Sequence, residues 1–281
     1  MLNSGQNQNA EGQSVAIQAG RDVYLGMSVS DIREVVNFLL RENFPQLRDE
    51  ARRVAEEYVE AFGQTLEDRL VEKAQTINFD KLREPDVQAT INDAVLATAR
   101  KGETANPHLL AVLVAERMAR NSDNFKDIVL SEAVLVVPRL TSRQIALLTM
   151  LHALLNVKIG PSTMEQLEIF GSTVLRLSQP GFGLSMAQKL HLQYAAVASI
   201  NPIVTRDIFD FARTTYPELA LADMASFKQG VRQHAPSFFI LLMQFTAENL
   251  GSIHLTSVGQ AIALSNLAGH LPGLNYSTWL N

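Results

Sequence analysis

From Ser30 onward the chain is punctuated as helix after helix, and this restricts its fold more than any other feature. Apolar residues return every three or four positions, and Ser, Thr or Pro stands where most runs begin. Ser30 can cap a helix whose Ile32, Val35, Val36, Leu39 and Leu40 share a face, and Asn43-Phe44-Pro45 ends it. Pro45 then occupies a first helical position for a long helix striped by Leu47, Ala51, Val54, Ala55, Tyr58, Val59, Phe62, Leu66 and Leu70. Its outer face carries Arg48, Asp49, Arg52, Arg53, Glu56, Glu57, Glu60, Asp68 and Lys73, and reads as a solvated surface of mixed charge.

Pro85 and Pro107 open two further helices, through Val87, Ile91, Val95 and Ala99 and through Leu110, Leu113, Val114 and Met118. Thr141 and Gln144 have capping-box spacing ahead of Ile145, Leu148, Leu151 and Leu155; Ser185 and Gln188 repeat it ahead of Leu190, Tyr194 and Val197. Between them Pro161 opens a segment through Leu167, Phe170 and Leu175. Thr205 is read as the cap of a helix through Ile208, Phe209 and Ala212. Pro236 starts a very apolar helix through Phe239, Leu242, Met243 and Phe245, with Gly251 as its terminator. Ser252 to Leu255 reads as extended, and Thr256 caps a last helix closed by Gly269.

Composition changes near Ser28, because residues 3–27 are rich in Gly, Gln and Asn. There Val15, Ile17 and Ala19 alternate along an extended chain, and Val23 and Leu25 resume the alternation after Gly20-Arg21-Asp22. This is a hairpin or stacked-strand pattern, too small to be stable alone, so it pairs with the body or with other copies of itself. The fold class expected is therefore mainly α: a multi-helix body behind a short N-terminal β-hairpin or stacked-strand segment. The regions are 1–29 (β assembly segment), 30–125 (N-terminal helical) and 126–281 (C-terminal helical).

Chemistry is sparse. The chain has no cysteine, which removes disulfides, thiol nucleophiles and cysteine-ligated metals. His108, His152, His191, His234, His254 and His270 are scattered without metal-ligand spacing, so neither metal nor cofactor is implied. His152 and His191, inside apolar stretches, read as core histidines rather than general bases. Gly181-Phe182-Gly183 lacks the strand and the lysine that phosphate loops need. No motif identifies a catalytic reaction, and an enzyme would require a polar pocket, lined by a histidine and a carboxylate, assembled from distant helices.

With 24 Lys+Arg against 29 Asp+Glu, a net charge of -5 disfavours general nucleic-acid binding. The alternative reading is a helical regulator that binds nucleic acid or a small ligand through its C-terminal region, using Arg206, Arg213 and Arg232, with Lys228 on the same basic edge. The last helix brings no Lys or Arg to such a task. The greasiest windows, Phe238 to Met243 and Ile145 to Val157, fall short of the roughly 18 residues of a spanning helix. No secretory pattern opens the chain, so a cytoplasmic location without a constitutive membrane span is expected.

Ile17-Gln18-Ala19-Gly20, followed by Arg21-Asp22-Val23-Tyr24-Leu25, resembles the RIP homotypic interaction motif and the Gly-punctuated amyloid signalling motifs of fungal and bacterial immune proteins. In a register stack Gln18 ladders along the axis, Val15, Ile17, Val23 and Leu25 form a dry zipper, and Gly20 allows the bend. Ala19 departs from the resemblance, which has a larger aliphatic residue there. An ordinary hairpin remains the competing reading of Val15, Ile17, Gln18, Ala19, Gly20, Val23 and Leu25, and both readings share self-association. Gly5 to Ala10, Ile17 to Val23 and Leu255 to Ala263 together resemble a bacterial family with the locus-style name LPO/Vpar, and the ending is loosely similar to abortive-infection alpha proteins. That resemblance implies a bacterial cytoplasmic protein in phage defence and no catalytic residues. The function expected is a non-enzymatic interaction or effector protein. It assembles with itself as a homo-oligomer or filament, or with a protein partner sharing the N-terminal motif.

Overall fold

The computed structural model describes residues 44–120, 123–160, 163–203, 205–219, 223–271 and 274. The helix expected after Ser30 and the segment Val15 to Leu25 lie outside the described residues. Two units divide the chain, Met1–Arg52 and Arg53–Asn281. Of the first, residues 44–52 are described, as the opening turns of helix α1 (Phe44–Glu72).

In the second unit α1 continues and is followed by α2 (Pro85–Lys101), α3 (Pro107–Arg117), α4 (Asn124–Val136) and α5 (Ser142–Asn156). Then come α6 (Met164–Ser178), α7 (Met186–Tyr194), β1 (Ala198–Ile200), α8 (Ile208–Thr215), α9 (Met224–His234), α10 (Pro236–Ala247), β2 (Ile253–Leu255) and α11 (Ser257–Ala268). The body is thus mainly helical, as expected. Among the described residues no helix is long and apolar enough to cross a membrane.

Three helices sit at the centre, buried around their whole circumference rather than along one stripe. In α3 every residue from Leu109 to Arg117 is buried, in α5 every residue from Gln144 to Leu154, and in α11 Ala261 to Ser265 and Leu267. Helix α5 packs against α11 on one side and α6 on another, while α4 covers α3 and α11, and α10 covers α6. Gly171 permits the α6–α10 approach, since a Cβ there would lie 2.4 Å from the Phe238 backbone nitrogen.

The capping boxes at Thr141/Gln144 and Ser185/Gln188 form as their spacing predicts, and Pro85 and Pro107 begin α2 and α3. Other boundaries move. Helix α6 is opened by a capping box of Thr163 with Gln166, and Pro161 lies outside the described residues. Helix α8 is capped by Asp207, not Thr205, because the Asp207 carboxylate accepts from both Phe209 and Asp210 N–H groups. Helix α10 ends at Ala247 with Glu248 as its C-cap, and Asn249, not Gly251, follows in the left-handed conformation (φ 54°) that its short polar side chain tolerates. Gly251 instead touches the Arg206 backbone, where no Cβ would fit.

The extended piece before the last helix is β2, which pairs antiparallel with β1, Ala198 opposite Leu255 and Ile200 opposite Ile253. A polar clasp ties this two-stranded sheet to α11. Thr256 Oγ1 donates to the Ala196 carbonyl (2.7 Å) and accepts from the Gly259 N–H (3.2 Å). Gly259 is required for this close approach, because a Cβ would sit 1.9 Å from the Val197 carbonyl oxygen.

In helix α7, Leu190 and Tyr194, apolar positions that follow the Ser185/Gln188 box, are 51% and 85% exposed. The helix docks through Leu192 and Lys189, the lysine reaching Glu248 (3.2 Å) and its carbonyl (3.1 Å).

Candidate functional site

Charged side chains first concentrate where α1, the turn at Phe79–Arg83, α2, α3 and α4 meet. Arg117 is 4% exposed; it lies 2.9 Å from Asp127 and 2.6 Å from Asp86, and its Nε donates to the Ser131 hydroxyl (3.3 Å). Lys81 pairs with the same Asp127 (3.5 Å), while Glu116 is bonded to Lys73 and faces Lys126 at 3.7 Å. Burial holds the Lys126 amine below its ordinary range, with Glu116 and Asp127 opposing that shift. Each buried charge here faces an opposite one, the arrangement expected of a structural network.

Beside it lies a small cleft of about 80 Å³, lined by Arg69 and Glu72 of α1, Lys73 just after it, His108 of α3, and Asn266 and His270 from the end of α11 and just after it. This is the polar pocket with a histidine and a carboxylate that an assembled active site would need. Its geometry commits both groups to one guanidinium. Arg69 donates to His108 Nε2 (2.9 Å) and pairs with Glu72 (2.6 Å). A guanidinium only donates, so His108 accepts at Nε2 and carries its proton on Nδ1. Burial first, then the charges of Arg69 and His270, lower the pKa of His108, which keeps the ring neutral at pH 7. Its lone pair is already used, so it serves better as a latch between α1 and α3 than as a general base. Among the described residues no group of three or more His, Asp or Glu could hold a metal ion.

His152 is 1% exposed within α5, and burial lowers its pKa to about 4. His191 accepts at Nδ1 from the Gln144 amide (3.0 Å), which also donates to the Gln188 carbonyl (2.8 Å). Both are packing histidines, as the sequence suggests.

A wider, open groove of about 470 Å³ lies along α8, α9 and α10. Arg206, Phe209, Lys228, Met243 and Thr246 contribute to its lining. The Arg206 guanidinium stands 4.8 Å from the Phe211 ring and the Lys228 amine 4.6 Å from the Phe209 ring, each held by a cation–π contact. Asp207, also at the groove, has its carboxylate engaged as the α8 cap. The structure thus joins Arg206 to Lys228 in one groove and leaves the other two predicted arginines out of it: Arg213 pairs with Asp210 (3.4 Å), and Arg232 is exposed in the last turn of α9. Sequence reasoning missed the α1–α3–α11 cleft altogether, because Arg69, His108 and His270 are too far apart to form a motif.

A protein-family model matches residues 26–225, more than two thirds of the chain. No curated protein and no solved structure matches it.

Proposed function

Because the chain belongs to the family matched over residues 26–225, we propose that this family body is the helical effector part of an interaction protein whose residues 1–29 bring copies together, in bacterial phage defence. The observation that carries the reading is the position of the alternating segment. Val15, Ile17, Gln18, Ala19, Gly20, Val23 and Leu25 all precede residue 26, where the family match begins. An appended segment of this kind raises the effective concentration of the bodies without new affinity between them. The body suits that task because its buried charges are paired among themselves. Ile17→Asp puts a charge into the proposed apolar zipper. The purified variant is expected to lose the large species formed by the wild-type chain while keeping its thermal midpoint. Equal size distributions for the two proteins would reject the reading.

A second reading, a regulator that takes up an anionic ligand such as nucleic acid, is favoured by the shared Arg206–Lys228 groove. The double variant Arg206→Glu/Lys228→Glu is expected to abolish any salt-dependent change in anisotropy of a labelled DNA oligonucleotide. Binding that survives the double change, or no binding by the unaltered chain, counts against it.

A further inference from the structure

The groove along α8, α9 and α10 holds two cations that the fold leaves unneutralised. Among the described residues neither Arg206 nor Lys228 forms an ion pair with a carboxylate; each rests against a phenylalanine ring instead, 4.8 and 4.6 Å from its centre. Elsewhere in the body Lys189 is matched by Glu248, Arg213 by Asp210 and Lys158 by Glu218. Asp207, the carboxylate among the described lining residues, is committed through one oxygen to the N–H groups of Phe209 (2.9 Å) and Asp210 (3.3 Å). Arg206 is fixed through its backbone. Its N–H donates to the Gly251 carbonyl (3.2 Å), and a Cβ at position 251 would lie 2.6 Å from the Arg206 carbonyl oxygen. Phe209, Phe245 and Met243 give the same groove an apolar lining.

We propose that this groove binds a small phosphomonoester with an aromatic or apolar body, its phosphate held by Arg206 and Lys228 and its body by Phe209, Phe245 and Met243. The inference narrows the anionic-ligand reading above and rests on it. Charge sets the head group. A phosphomonoester carries close to two negative charges at neutral pH, which two cations match, whereas a carboxylate would leave one of them unmatched. Both contacts are charge-assisted, and the guanidinium fork meets two phosphate oxygens at once. The cation–π contacts keep both long side chains at the groove beforehand, so less rotamer freedom is lost on binding. Size sets the body: about 470 Å³ lies within the roughly 300–1,000 Å³ of small-molecule sites and far exceeds what a bare phosphate fills. A nucleic-acid strand is disfavoured, because it needs a row of cations along successive phosphates. Here Arg213 is taken by Asp210, Arg232 lies outside the lining, and the chain carries a net charge of -5.

The test titrates purified full-length protein with 1-naphthyl phosphate, adenosine 5′-monophosphate and inorganic phosphate by calorimetry, and with a labelled single-stranded DNA oligonucleotide by anisotropy. At least one of the two esters is expected to bind at one site per chain, and more tightly than inorganic phosphate by on the order of tenfold. Arg206→Gln and Lys228→Gln, both at exposed positions, should each weaken that binding about tenfold or more while cooperative melting is retained. Arg232→Gln, exposed but outside the groove, should leave it unchanged. Ester binding that is indifferent to both groove variants, equally weakened by Arg232→Gln, or no tighter than that of inorganic phosphate overturns the site. Oligonucleotide binding abolished by Arg206→Glu/Lys228→Glu, with neither ester bound, overturns the phosphomonoester inference and leaves the anionic-ligand reading standing. Failure of every probe to bind overturns both.

Discussion

Replacing Arg117 by Met is expected to lower the stability of the body by roughly 3–5 kcal/mol, the cost of removing one member of a buried charge network. Arg117 is 4% exposed, and its partner Asp127 has a side chain 19% exposed. Without the guanidinium, Asp127 loses its partner at 2.9 Å, and Ser131 loses a donor. Asp86 bonds the same guanidinium at 2.6 Å but is 67% exposed, so water replaces the arginine there at little cost. Asp86→Asn should therefore cost less than about 1 kcal/mol. Urea denaturation checks both: the midpoint should fall sharply for Arg117→Met and slightly for Asp86→Asn, with unchanged slope. Similar small losses for the two would show that the network contributes little to holding α2, α3 and α4 together.

Acid should act on the folded body through His152. Burial depresses its folded pKa to about 4 from the ordinary 6.5. Between these values the unfolded chain binds a proton that the folded chain does not, so stability falls as pH falls. The contribution is whole above pH 6.5, erodes through the interval and is lost near pH 4, in total roughly 3 kcal/mol. Its Nδ1 has no hydrogen-bond partner, so an apolar replacement of similar size breaks no bond at that atom. His152→Leu is expected to match the wild type near pH 7 and to exceed it at pH 5 by roughly 2 kcal/mol. Unfolding free energies at the two pH values give the comparison. A stability difference that does not grow on acidification would mean that His152 titrates normally.

The helical body was legible because its punctuation is local. Thr141 with Gln144, Ser185 with Gln188, Pro85, Pro107 and Thr256 open helices through groups within three residues of each other. Where two candidates compete nearby, geometry decides: Asp207 offers a carboxylate to two N–H groups, and Asn249 reaches the left-handed conformation before Gly251 can. Helix α4 was not read from the sequence, because the exposed apolar residues Phe125, Ile128 and Leu135 interleave with the buried Val129, Leu130, Ala133 and Val134 and blur its stripe. Periodicity also cannot tell which side of a stripe faces inward, and α7 turns Leu190 and Tyr194 out because Lys189 finds Glu248 inside. The basic edge was half legible. Arg206 and Lys228 do share a groove, while Arg213 is drawn to Asp210 one turn away. The Arg69–His108 latch joins residues 39 positions apart, and no spacing rule connects them.

Whether residues 1–29 assemble the helical body is read most directly by light scattering coupled to gel filtration. It compares the full-length protein with a chain lacking residues 1–27, both checked for the same cooperative melting. Large species are expected for the full-length protein alone, and a small, discrete particle for the shortened chain. The same small particle from both would contradict assembly by this segment.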